Sequence, residues 1–284
     1  MMGSSAVSAL SSEHDVVGIY NSNKVEFKGA KTIQSDLASP ESVNLITSLS
    51  PDIVLNCAAL TDVDRCEKNP EEAYRHNVET AIHVSQGAMQ SKARLIHVST
   101  DAVFDGREGR YDENDTPNPV NEYGRSKWAA ERVIRSVHGD SIVVRTNIYG
   151  CNKHKEKKSL AEWILGRLQN NKTVPGFEDV YFSPIYTNQL ISIVERIIPT
   201  SVTGLLHVAG RDRISKYSFA EMVADVFGYK NSQIITSSID EVNLEAPRPT
   251  DCSLDSSYVE KKVGSRLPST KEGLKRFKKD YIKK

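Results

Sequence analysis

The sequence predicts an α/β fold with a doubly wound parallel sheet, and three observations carry that expectation. Short β-branched runs alternate with amphipathic helical windows from Ser39 onward, which is the pattern of a parallel sheet covered by helices. The runs themselves, such as Asp52-Ile53-Val54-Leu55-Asn56-Cys57, are apolar enough for strands buried on both faces. Helical windows open on Ser39-Pro40-Glu41 and Asn69-Pro70, each pairing a polar cap with a proline at the first helical position.

The elements follow in order. A strand is expected over 16–20, a helix from Pro40 and a buried strand over 52–57. Asn69-Pro70 opens a helix running to Lys92, with Ala73, Val78, Ala81, Ile82 and Val84 on its apolar side. A strand over 94–98, a helix over 121–138 and a strand over 142–146 complete the alternation, and a doubly wound sheet of this kind binds nucleotides. Beyond Gly150 the texture changes: Lys153-His154-Lys155-Glu156-Lys157-Lys158 reads as a solvated loop. Helices over 159–171, 187–198 and 215–227, strands over 205–208 and 233–236, and a basic helix from Lys271 suggest a smaller second lobe. The expected division is 1–150 for the nucleotide-binding domain and 151–284 for the lobe, with some segments returning to the sheet.

Composition narrows the function. The 284 residues carry 37 Lys and Arg against 37 Asp and Glu, so no net field draws the chain to nucleic acid or an anionic membrane. A small molecule is the expected ligand. Cys57, Cys66, Cys151 and Cys252 are widely spaced without a CxxC pair, which suggests neither a disulfide scaffold nor a metal site. No apolar run approaches the roughly 20 residues of a membrane helix, and residues 1–10 lack the basic start of a signal peptide. A cytoplasmic location is expected.

The sharpest constellation is Tyr123-Gly124-Arg125-Ser126-Lys127, preceded by Pro119 and Asn121 at the start of a predicted helix. One helical turn separates the tyrosine from the lysine, so both lie on one face. A free tyrosine titrates near ~10 and is a weak acid at neutral pH unless a fixed cation favours its ionised form. Lys127 is placed to supply that cation. The phenol can then protonate a carbonyl oxygen as hydride reaches the carbon. Alone, such a pair usually means only an exposed helix face. Upstream, however, His97-Val98-Ser99-Thr100-Asp101 leaves the end of a predicted strand, the edge where open α/β sheets place their sites. Thr100 and Ser99 are expected to hold the carbonyl oxygen beside Tyr123; the bland alternative is a serine-threonine turn.

Longer blocks carry a resemblance. Ser99-Thr100-Asp101-Ala102-Val103-Phe104-Asp105-Gly106, then Tyr111, Glu113, Pro117, Pro119, Asn121, Tyr123, Gly124, Lys127 and Glu131, resemble the STDxVFDG and PxNxYGxxKxxxE blocks of dTDP-4-dehydrorhamnose reductases. These are extended short-chain dehydrogenase/reductases. The run from Asn56 to Glu67 resembles their NxAAxTxVDxxE block, with Asn77 at the matching helix asparagine. Arg145-Thr146 to Gly150 resembles an RTxxxYG strand, and Arg248-Pro249 with Leu254-Asp255 a late RPxxxxLD element. The similarity spans nearly the whole chain.

What the resemblance implies is a Rossmann-type domain with a C-terminal substrate-binding lobe, and a catalytic set of Thr100, Tyr123 and Lys127. Lys127 would also bond the nicotinamide ribose. Cys57, Ala58, Ala59 and Thr61 would pass under the cofactor, Asp36 and Leu37 would border the adenine, and Ser99, Thr100, Asp101 and Ala102 would meet the substrate. The family opens with a strand and a GxxGxxG turn. Here Gly3 aligns with its third glycine and residues 4–10 with the helix behind it, so a strand and the start of a glycine turn are expected ahead of Gly3. The polar 152–158 segment also departs from the family, which has aromatic or apolar residues there. After the strand at 16–20, Asn21-Ser22-Asn23-Lys24 offers no acid to grip a ribose 2′-hydroxyl, so NADPH is expected at least as readily as NADH. The implied reaction is reduction of a 4-keto nucleotide sugar, dTDP-4-dehydrorhamnose first, with a homodimer as candidate assembly. A sugar-nucleotide epimerase or dehydratase is one alternative, although Asp101-Ala102 stands where dehydratases carry Asp-Glu. The other is a non-catalytic subunit resembling the β subunit of methionine adenosyltransferase.

Overall fold

The computed structural model describes residues 1–153 and 157–283. The centre of the charge run, His154-Lys155-Glu156, lies outside the described residues.

A four-stranded parallel sheet forms the middle of the molecule, in the order β10 (Gly204–His207), β5 (Ser141–Arg145), β4 (Arg94–Val98), β3 (Ile53–Asn56). Strand alternation divides the core. Leu95 and Val143 face a cluster containing Ile46, Ala81, Val84, Ala130 and Ile134, which comes from α2 (Glu41–Leu49), α5 (Thr80–Gln90) and α6 (Glu122–Val137). Ile96, Ile142 and Val144 face the other way, onto Ala6 of α1 (Met2–Leu10) and Leu190, Ile191 and Val194 of α8 (Thr187–Ile197). β5 is buried along its whole length, as a central parallel strand should be.

A separate pair, β1 (Val17–Tyr20) with β2 (Lys31–Gln34), is also parallel. Among the described residues no ladder joins it to β3. Every residue of β1 is only half-buried, and Ile53 of β3 is 37% exposed.

From Asn147 onward the chain makes short two-stranded ladders: β6 (Asn147–Tyr149) with β9 (Pro184–Tyr186), β7 (Val174–Phe177) with β12 (Ile234–Ser237), and β8 (Tyr181–Phe182) with β11 (Ile214–Ser215). Their helices α7 (Leu160–Gln169), α9 (Lys216–Phe227) and α11 (Thr270–Ile282) enclose an aromatic core of Tyr149, Phe182, Tyr186, Phe219 and Phe277. α8 and β10 instead return to the main sheet, and α10 (Ser257–Val263) packs with them through Val259.

Helix starts differ from expectation in detail. Pro40 itself caps α2, without a side-chain bond, because the Ser39 hydroxyl turns to Glu41. The helix expected over 69–92 is three pieces: α4 (Pro70–Tyr74), a π-helical segment Arg75–Glu79, and α5. Asn69 gives α4 no side-chain cap, since its amide donates backwards to Arg65 O at 3.1 Å. α3 (Val63–Lys68) precedes it, capped by Asp62. Asn121, by contrast, does cap α6, accepting from Gly124 N at 2.9 Å.

Candidate active site at the carboxyl edge of the sheet

The site forms where the end of β4 meets the start of α6. Thr100 leaves the strand extended and its Oγ1 accepts from Ala102 N at 3.1 Å, folding Asp101–Val103 into a single 3₁₀ turn. Against that turn sits Gly124, where a Cβ would fall 2.3 Å from Ala102 O. Only glycine permits so close an approach, and it brings Tyr123 beside Thr100. Burial pushes the Tyr123 phenol up to about 12, the Thr100 hydroxyl pulling it down and Asp101 and Cys66 adding to the rise. At neutral pH the phenol therefore holds its proton.

Lys127 is placed one turn further on, but not as a partner of the phenol. Its Nζ donates to Val98 O at 2.9 Å and lies 3.2 Å from His97 Nε2. Burial lowers the ammonium to about 8, against the pull of Glu131 and Cys57. The expected cation beside Tyr123 is thus turned toward β4 in this arrangement.

The Ser99 side chain is buried and bonds Glu131 Oε1, on the opposite side of the backbone from Thr100. Glu131 in turn grips Arg145 through contacts of 2.7, 3.0 and 3.2 Å, with both side chains 2% exposed. Ser99 is thus engaged with this buried ion pair. Asp101 does face the site: Asn147 Nδ2 donates to its Oδ2 at 2.7 Å, and burial raises its carboxyl above the usual range. From α9 comes Lys216, its first residue, with Asp101 among the charges that act on it. Its Nζ stands 3.4 Å over the Phe182 ring, and burial pushes it down to about 8. Asn147 and Lys216 were absent from the sequence-derived set, although a lysine at the start of a helix opposes the macrodipole and is itself a weak signal. No cluster of His, Cys, Asp and Glu suited to a metal occurs among the described residues.

The opposite flank carries the residues expected to meet a dinucleotide. α1 begins with neither a side-chain cap nor an acidic residue in its first turn, which leaves N-terminal amides for an anion. A Cβ on Gly3 would lie 3.6 Å from Cys57 Cβ, so this helix end meets the loop of Cys57, Ala58, Ala59 and Thr61. That loop is pinned from below: Asn77, in the π-helical segment, accepts from Leu60 N at 2.8 Å and donates to Ser126 Oγ at 2.8 Å. Such a segment recurs at functional sites. Asp36 accepts from Ala38 N at 3.0 Å and pairs with Arg75, while Leu37 packs on the sheet core. Lys24, in the segment after β1, lies 2.9 Å from Glu26, an exposed acid two residues on. An open helix N-terminus, a glycine and a small-residue loop fit a pyrophosphate-bearing ligand.

No helix among the described residues is long and apolar enough to cross a membrane. Comparison with known proteins agrees with the geometry. The chain is 33% identical over 279 residues to the probable low-salt glycan biosynthesis reductase Agl14 of Haloferax volcanii, covering 96% of this chain and 93% of that protein. It is 31% identical to methionine adenosyltransferase 2 subunit beta of Danio rerio, over 76% of this chain and 68% of the relative. The structure superimposes with a TM-score of 0.82 on dTDP-4-dehydrorhamnose reductase from Bacillus anthracis str. Ames in complex with NADP, at 27% identity and covering 90% of each chain. The family described as RmlD substrate binding domain matches residues 2–282, and the chain belongs to that family.

Proposed function

We propose that this protein is a sugar-nucleotide reductase that uses NADPH or NADH, and that its substrate is a 4-keto nucleotide sugar, dTDP-4-dehydrorhamnose first among them. The observation that carries the reading is Tyr123 with its proton retained beside Thr100, at the carboxyl edge of a doubly wound sheet. When bound, the nicotinamide supplies the hydride; the protein's part is binding, orientation and proton supply. Tyr123 gives its proton to the carbonyl oxygen, and Thr100 donates to the same oxygen as charge develops. Asp101, with Asn147 and Lys216, reads the sugar from the side of the second lobe. Residues 1–150 hold the cofactor and residues 151–284 mainly the substrate. The NADP in the related reductase structure and the open α1 N-terminus support the cofactor assignment.

The test is turnover of dTDP-4-dehydrorhamnose by purified protein with NADPH, followed as loss of the reduced nicotinamide. No oxidation of NADPH above the protein-free rate would remove the reading. The similarity to methionine adenosyltransferase 2 subunit beta supports a second reading, a non-catalytic regulatory subunit. Absence of turnover together with altered kinetics of an added methionine adenosyltransferase would favour it.

A further inference from the structure

Beneath the site lies a row of buried polar groups that proton transfer from Tyr123 does not require. Asn56, His97 and Lys127 are 4%, 1% and 2% exposed, and they form a line: Asn56 Nδ2 to His97 Nδ1 at 3.0 Å, then His97 Nε2 to Lys127 Nζ at 3.2 Å. The protons in that line can be assigned from one end. Ala58 N donates to Asn56 Oδ1 at 3.1 Å, which fixes the amide so that its nitrogen, a donor only, faces His97 Nδ1. Nδ1 must then accept. His97 is neutral, burial above all holding it well below the usual imidazole range, so its single proton sits on Nε2. That proton points at Lys127 Nζ.

An ammonium cannot accept it, having three donors and no lone pair. A neutral amine can, and it keeps hydrogens for Val98 O. The surrounding charges offset burial only in part, and the ammonium gives up its proton at about 8. Glu131, on the same helix, is engaged by Arg145 and Ser99. Cys57, from the loop after β3, has its thiol pushed up to about 12 by burial and is uncharged at neutral pH. Tyr123, one turn back, retains its proton. His97 and Val98 are the remaining neighbours, from β4.

We propose that His97 is a positioning residue that disfavours the ammonium of Lys127 against β4, so that it loses its proton well below the ordinary lysine range, and that binding of a dinucleotide draws Lys127 away and restores the charged form, so that above that midpoint the complex forms with uptake of a proton. The second half rests on the reading that this site takes NADPH. Ribose hydroxyls and phosphates offer the acceptors that His97 denies, and they favour the charged form. The consequence is directional. Above the pH at which free Lys127 loses its proton, cofactor affinity should fall about tenfold per unit until the bound lysine also titrates.

Two measurements separate the halves. In the ligand-free protein, lysine labelled with ¹³C at Cε and assigned with Lys127→Arg should show Lys127 titrating near pH 8, as its burial implies. His97→Gln, whose amide oxygen can accept from the ammonium, should raise that midpoint by at least about one unit. Asn56→Asp reverses the histidine tautomer with little change of shape and should raise it as well, which keeps the test available if His97→Gln does not fold. A wild-type midpoint above about 10, the ordinary lysine range, or no change in the substituted proteins, overturns the first half. Calorimetric titration with NADPH at pH 8 in buffers of different ionisation heat should then show about half a proton taken up, and less in His97→Gln. Binding without uptake overturns the second half. Failure of NADPH to bind, with Lys127 still titrating near pH 8, overturns it together with the cofactor reading and leaves the first half supported.

Discussion

Tyr123 differs from a surface tyrosine in being an acid that no neighbouring cation ionises: burial holds its phenol near 12 and Lys127 is turned away. Its proton is therefore available across the neutral range. Tyr123→Phe removes only that proton, and kcat is expected to fall by at least ~10²-fold with NADPH affinity and thermal stability within error of wild type. Steady-state kinetics beside a cofactor titration checks this, and activity within a few-fold would take Tyr123 out of the mechanism. The Arg145–Glu131 pair makes a different forecast. Arg145→Met leaves Glu131 charged in a dry interior, and unfolding in urea should show a loss of about 3–5 kcal/mol. That Thr100 and Tyr123 would be neighbours was legible in the sequence, because a strand end and a helix start place them. The bond of Ser99 to Glu131 was less so, although adjacent residues leaving a strand tend to point to opposite faces. Asn147 and Lys216 were out of reach, since the long-range packing that brings them to Asp101 has no local trace.

At the scale of elements, the contact that builds the site is between the 3₁₀ turn after β4 and the first turn of α6. Gly124→Ala would thrust a Cβ to within 2.3 Å of Ala102 O and 2.8 Å of Pro119 Cβ, and one side must give way. The expected cost is about 1–3 kcal/mol, visible as a lower Tm. Because the shift separates Tyr123 from Thr100, kcat should fall further than stability alone predicts, by up to ~10²-fold. A variant with full kcat and reduced Tm would show that the turn holds the fold but not the geometry of the reaction. The same scale explains what the sequence concealed. Asn121 was legible as a cap because its bond to Gly124 N is local. The π-helical segment was not, since residues 75–79 suit either bond spacing, and the bonds of Asn77 to Leu60 and Ser126 depend on tertiary neighbours.

Across the whole molecule, the parallel order β3–β4–β5–β10 agrees with the alternation read from sequence, while the separation of β1–β2 from it shows in the exposure of the facing strands. Val54 and Leu55 of β3 are half-buried and Ile53 is 37% exposed, whereas β5 is fully covered. Edge strands carry unpaired N–H and C=O groups, and among the described residues β1 pairs only with β2 and β3 only with β4, so each keeps an edge that a further strand could take. A strand of ~5–6 residues, apolar and followed by a Gly-x-x-Gly turn, fused ahead of Met1 would deliver its chain directly into α1. The fused strand would pair with the free edges of β1 and β3, and its turn would set backbone N–H groups beside the α1 N-terminus as a preformed anion site. The expected outcome is a rise in Tm of at least ~4 °C, the shift of roughly 1–2 kcal/mol in a chain of this size, together with tighter NADPH binding in a fluorescence titration. A scrambled polar extension of equal length is the control and should change neither. Equal Tm and affinity for the two fusions would mean that β1 and β3 do not accept a strand between them, and that the anion is held by the loop from Cys57 to Thr61 alone.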